Sequence, residues 1–216
     1  MKRSIALMMS VLCLMTLCVT EAQAQLLIKK NFKGKHDTAY YLAGAVPERD
    51  GKVFFSDTIA VAGASKGQIY TGLAQWAAFR YAPSVENGEW TDDNYFANTE
   101  FPTVSADAEA GSIICSAQEY MVFTNKTLAK DYSVLNYTLS LDIQDGQVIA
   151  SLTDIVYTYT LAEDYAERIL AEDWITDAEA INKKGALHRT VARFRIKTVD
   201  LVEELFKEVA ASATPL

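Results

Sequence analysis

The sequence predicts an α+β domain in which helices cover one face of a twisted, mainly antiparallel sheet. Three observations carry that class. Apolar and polar residues alternate over successive segments between Val53 and Tyr159, and the turns joining most of those segments are too short for parallel crossovers. Two stretches with helical spacing accompany them, and each needs an apolar face to cover.

The composition is that of a folded chain. Of 216 residues 50% are apolar and 22% charged, which is too apolar for disorder. Lys and Arg number 20 against 28 Asp and Glu, a net charge of −8 that disfavours polyanion partners, so no nucleic acid is expected.

Met1 to Ala24 opens with Lys2 and Arg3, continues as an apolar run from Ile5 to Val19, and closes on Ala22-Gln23-Ala24. This is the layout of a secretory signal peptide over 1–24, with small residues at the cleavage positions. The apolar run has 15 residues, whereas a membrane span needs ~20, so the cleaved chain is expected not to be an integral membrane protein. Lipidation is disfavoured because Cys13 and Cys18 both follow leucine. Cleavage removes 24 residues and leaves 192, with net charge −9 and Cys115 as the one remaining thiol. The expected location is therefore the periplasm, the cell envelope or the medium, with no intrachain disulfide.

Residues 25–48 begin with a basic cluster (Lys29, Lys30, Lys33, Lys35) and show no clear period, so they read as a lead-in to a single domain over 49–211. Val53, Phe55, Ile59 and Val61 mark the first strand. Ser65 with Gln68 forms a capping box that opens a helix with Ile69, Leu73, Trp76 and Ala77 inward, and Pro83 ends it. Residues 84–100 are rich in acids and Asn and read as a long loop. Strands follow over 101–110, 112–123, 135–143 and 147–159, with a turn at Gly111 and a hairpin at Asp145-Gly146. Thr176 with Glu179 suggests a second capping box and a short helix that Gly185 ends. Val191, Phe194, Thr198, Leu201, Leu205 and Val209 then recur as one buried helical face.

Three stretches carry a family resemblance: Tyr41 to Glu48 (YLAGAVPE) with Asp50-Gly51-Lys52-Val53; Trp174-Ile175-Thr176-Asp177 leading to Ala180-Ile181-Asn182-Lys183; and Arg193 to Leu201 (RFRIKTVDL) leading to Glu204-Leu205-Phe206. They resemble domain-of-unknown-function family 4468, found in exported proteins of Bacteroidota, over roughly residues 40–207. The resemblance implies a TBP-like fold of order β-α-β4-α and implies no activity, so no catalytic residues carry over. The TATA-binding protein uses such a sheet on DNA, but function does not travel with a fold.

Several constellations carry two readings. Gly63-Ala64-Ser65-Lys66-Gly67 matches G-x-S-x-G, with Asp154 and His188 following in hydrolase order. Only one clear strand precedes Ser65, so a helix N-cap accounts for the same residues. Asp57, Glu119 and Asp154 interrupt apolar strand faces, either as an acid/base or cation site or, as favoured here, at bulges and strand ends. The acids from Glu163 to Glu179 read as a solvated face rather than a calcium loop. Lys183, Lys184, Arg189, Arg193, Arg195 and Lys197 are an anion site or, more simply, partners for those acids. His36 and His188 are too few and too isolated for zinc, and Cys115 reads as core, so no metal and no cofactor are expected.

Aromatic residues supply the remaining candidates. Tyr157 and Tyr159 on a strand, Trp90, Tyr95 and Phe96 in the acidic loop, and Arg193 and Arg195 form the candidate binding set. The expected function is an exported, non-catalytic domain that binds a protein or small-ligand partner. A carboxylate-dependent hydrolase of polymers and a purely structural envelope protein are the alternatives. The sheet face opposite the helices discriminates: paired carboxylates in a pocket favour the hydrolase, exposed aromatics favour binding, and a polar face favours the structural role.

Overall fold

The computed structural model describes residues 34–82, 96–98, 102–126, 129–162 and 165–214. The chain divides into two units, Met1–Lys35 and His36–Leu216, and the account below concerns the second. The signal segment, Lys29, Lys30 and Lys33 of the lead-in, Trp90 and Tyr95 all lie outside the described residues.

A single turn of 3-10 helix, Thr38–Tyr41, comes first, then a small hairpin of β1 (Glu48–Arg49) and β2 (Lys52–Val53). β3 (Phe55–Ala60) leads to α1 (Lys66–Arg80). Six strands follow: β4 (Phe96–Asn98), β5 (Thr103–Asp107), β6 (Ser112–Lys126), β7 (Ala129–Gln144), β8 (Gln147–Ala162) and β9 (Tyr165–Leu170). The short α2 (Asp177–Ala180) and the long α3 (Arg189–Ala213) complete the order. Among the described residues the main sheet runs β3-β8-β7-β6-β4, with β5 also on β6 and β9 also on β8, and every pairing is antiparallel. The expected β-α-β4-α order is present as β3, α1, β5 to β8 and α3.

Local chemistry places these elements. The Ser65 capping box is formed: its side chain accepts from the Gln68 N–H while the Gln68 amide oxygen accepts from the Ser65 N–H at 2.9 Å. Gly111 sits at φ +75° between β5 and β6, and a Cβ there would lie 2.7 Å from the Ile143 carbonyl oxygen, so the turn admits only glycine. Strict alternation on β7 buries Leu135, Tyr137, Leu139, Leu141 and Ile143 beneath the helices. α1 and α3 pack against each other, and Gly72 permits it: a Cβ on that residue would meet the Ser212 carbonyl oxygen at 2.2 Å. Phe194 packs edge to face with Phe123, Tyr157, Tyr159 and Trp174, so its truncation to alanine costs about 3–5 kcal/mol.

Four expectations are corrected. Residues 36–48 are not a lead-in but part of this unit: Tyr41 and Val46 are buried, and the 3-10 turn lies against α3. Phe96–Asn98, read within a loop, pairs with Glu119 to Met121. β9 forms within the acidic stretch, where no strand was expected, and the described acids there stay partly or fully exposed. The Thr176 capping box does not form, because its hydroxyl donates to the Glu172 carbonyl instead, and α2 ends at Ala180, well before Gly185.

Candidate functional site

β3 pairs only with β8 among the described residues, so its other edge faces the flank of α3. Alternation places Phe55, Asp57 and Ile59 on one side of that strand, while Val199, Val202, Glu203, Phe206 and Ala210 recur every three or four residues on the helix. Together with Tyr40, Ala45 and Pro47 they enclose a groove of about 580 Å³. Its walls are mostly apolar, and Asp57, Glu203 and Lys207 are the charged side chains on it.

A polar cluster adjoins the groove where the 3-10 turn meets α3. The Tyr41 hydroxyl accepts from the His36 N–H at 2.9 Å and donates to Asp200 Oδ1 at 2.6 Å. His36 Nε2 lies 2.5 Å from Glu203 Oε2, and Lys207 Nζ lies 2.5 Å from the other oxygen, Oε1. Hydrogen bonds from Lys207 and then His36 hold the Glu203 carboxyl below the usual carboxylate value. Burial, and then the bond to Asp200, holds the Tyr41 phenol above its ordinary value. His36, read as isolated, therefore stands beside two carboxylates that can share a cation. The sequence holds half of this signal: Asp200 and Glu203 stand three apart on a helix and so share a face.

The residues singled out from sequence meet different fates. Tyr157 is buried, with its hydroxyl 2.7 Å from Thr198 Oγ1, and Arg195 is fully buried. Arg195 donates to the carbonyls of Tyr41, Leu42 and Ile175 and to Asp177, at 2.5 to 2.6 Å. Neither presents itself to a ligand, which corrects their assignment as binding residues. Tyr159 and Arg193 do come together, since Arg193 donates to the Tyr159 hydroxyl at 2.6 Å and to Asp131, and its guanidinium stacks 4.2 Å from the Phe123 ring. Those bonds tie Arg193 to Asp131 rather than to the acidic stretch beside it in sequence. Phe96 lies on β4, away from the β8 and α3 positions of the others.

The acids of that stretch act as staples. Asp177 accepts from the Gly44 N–H at 2.7 Å and Glu172 from the Val53 N–H at 3.1 Å. Asp154 sits at a bulge with φ +53°, where two residues of β8 face Tyr137, as expected. Glu119 corrects the same reading: it is fully buried on a regular stretch of β6, 3.1 Å from Arg80 Nη2 and hydrogen-bonded by the Tyr137 hydroxyl. Asp57 departs from it too, standing mid-strand on β3 in regular register with Ala150, so the three carboxylates serve different places. Ser65, Asp154 and His188 also stay apart, engaged respectively by Gln68, by Thr153 and, through the His188 N–H, by the Ala180 carbonyl.

The open face of the sheet is lined by hydroxyls. Ser56, Ser151, Ser140, Ile114 and Ser105 stand in register across five strands, and Thr153, Thr138, Ser116 and Thr103 form the next row. Ile114, 44% exposed, interrupts the first row, and the Tyr120–Tyr132 pair lies beyond the second. A second depression of about 830 Å³ lies between α1 and α3 near Trp76 and Phe79, but none of its lining residues is charged. Among the described residues no helix is long and apolar enough to cross a membrane.

The family model described as a domain of unknown function (DUF4468) with TBP-like fold matches residues 55–158. A crystal structure of a DUF4468 family protein from Bacteroides ovatus is similar with a TM-score of 0.68 and 32% identity, covering 82% of this chain and 95% of that one. A crystal structure of a TBP-like protein from Parabacteroides distasonis is similar with a TM-score of 0.61 and 25% identity, covering 78% and 97%. No curated protein matches.

Proposed function

The chain belongs to the DUF4468 family of domains of unknown function with a TBP-like fold, and from that premise we propose an exported, non-catalytic module that holds a small amphipathic ligand between β3 and α3. The groove is the observation that carries this reading. Ligand sites are concave and mostly apolar, with a few polar groups that fix orientation. Tyr40, Phe55, Ile59, Val202 and Phe206 supply the apolar wall, while Asp57, Glu203 and Lys207 suit a polar head. Export rests on the charged, apolar and small-residue order of 1–24. Asp57, Glu119 and Asp154, the carboxylates that suggested a hydrolase, stand apart and form no acid/base pair with one another.

Fluorescence of the apolar dye N-phenyl-1-naphthylamine tests the groove. The protein is expected to enhance it saturably, and Ala210→Trp or Ile59→Glu to weaken that binding at least about tenfold. Phe79→Ser, in the other depression, should leave it intact. No enhancement, or equal enhancement in both groove variants, would refute the groove. The hydroxyl-lined open face favours a second reading, a structural role in the envelope, which the same negative result would promote.

A further inference from the structure

His36, Asp200 and Glu203 offer one imidazole nitrogen and two carboxylates whose ligating atoms all lie within 4.8 Å of one another. Donors sharing one divalent ion at about 2.0–2.2 Å stand roughly 3–4 Å apart, so small side-chain adjustments bring this set into coordination. We propose that His36 Nε2, Glu203 Oε2 and a carboxylate oxygen of Asp200 form a site for a divalent transition-metal ion, with Zn²⁺ as the representative.

The arrangement is held in advance on both sides. Asp200 and Glu203 are neighbours on the 25-residue α3, and the Tyr41 hydroxyl holds the mostly buried Asp200 at 2.6 Å. The His36 ring stacks on Tyr40 with centroids 4.0 Å apart, which limits its rotation. Lys207 engages Glu203 Oε1, so an entering ion displaces the His36–Glu203 hydrogen bond while the Lys207 pair persists.

Charge and donor type select the ion. Two carboxylates beside an imidazole present a donor set that attracts a cation. An imidazole with two carboxylates suits zinc and its first-row neighbours better than calcium or magnesium, which take oxygen ligands. Three protein ligands leave a fourth position open. The inference goes beyond the groove reading and does not rest on it, since an ion can bind here whether or not the groove holds a ligand.

Competition for Zn²⁺ against a chromophoric chelator, with tag-free protein, tests the proposal. One equivalent is expected to bind, with His36→Gln and Glu203→Gln each weakening it at least about tenfold and His188→Gln leaving it unchanged. Zn²⁺ should also raise the melting temperature of the unaltered protein, where Ca²⁺ does not, a readout that needs no variant. Absence of binding at about 100 μM Zn²⁺, or binding that survives both substitutions in folded protein, would overturn the site.

Discussion

Arg195 Nε lies 2.6 Å from the carbonyl oxygen of Tyr41, and the same guanidinium reaches Leu42, Ile175 and Asp177 with no exposed surface of its own. One side chain thereby fixes the turn that carries His36 and Tyr41 against α3. Arg195→Met leaves three carbonyls and a carboxylate unmatched and is expected to cost about 3–5 kcal/mol in urea unfolding. Arg195→Lys should recover little, because a single ammonium cannot span four acceptors. A lysine variant within about 1 kcal/mol of the parent would contradict this role.

Glu119 and Arg80 form the second buried commitment, joined by the hydroxyls of Tyr137 and Tyr81. Glu119 is fully buried while Arg80 keeps a second carboxylate, Glu208 at 3.6 Å, so Glu119→Gln should destabilise by about 1–3 kcal/mol. Adding Arg80→Met to it should cost less than the sum of the separate losses. Strict additivity in a double-mutant cycle would show the pair to be uncoupled.

Alkaline behaviour follows from burial. The Cys115 thiol is pushed up to about 12, and Tyr41, Tyr81, Tyr137 and Tyr157 are raised, in each case first by burial. Groups raised on folding contribute stability that is complete below their unfolded values, about 8.5 for Cys and 10 for Tyr, and lost as pH rises through the folded values. Unfolding free energy should therefore fall above about pH 9, steepening above 10 towards about 1.4 kcal/mol per pH unit for each such group. Native Cys115 should resist iodoacetamide at neutral pH and react once denatured. Fast labelling of the folded protein would contradict its burial.

Ser65 is read as a helix cap, so its loss should be structural. Ser65→Ala should cost about 1 kcal/mol, and a fluorophosphonate should leave the native residue unlabelled. Covalent labelling there would restore the nucleophile reading.

What was legible in the sequence was local. The Ser65 box, the Asp145-Gly146 turn, the alternation through Leu135 to Ile143 and the Val191 to Val209 stripe each depend on neighbours within a few residues, and each appears where expected. β4 and β9 escaped because three and six residues hold too little period to separate a strand from a loop. The site was hidden for a different reason: His36 and Glu203 are 167 residues apart, and only the packed fold joins them. Arg195 misled because a buried staple and an anion-binding arginine look alike in a basic run.

Methyl-resolved NMR during titration with N-phenyl-1-naphthylamine reports whether the ligand enters the groove between β3 and α3. Saturating shifts are expected at Ile59, Val199 and Val202, which line the groove, with Ile114 on the open face of the sheet unmoved. Shifts centred on Ile114, or none at Ile59 and Val202, would contradict binding in the groove.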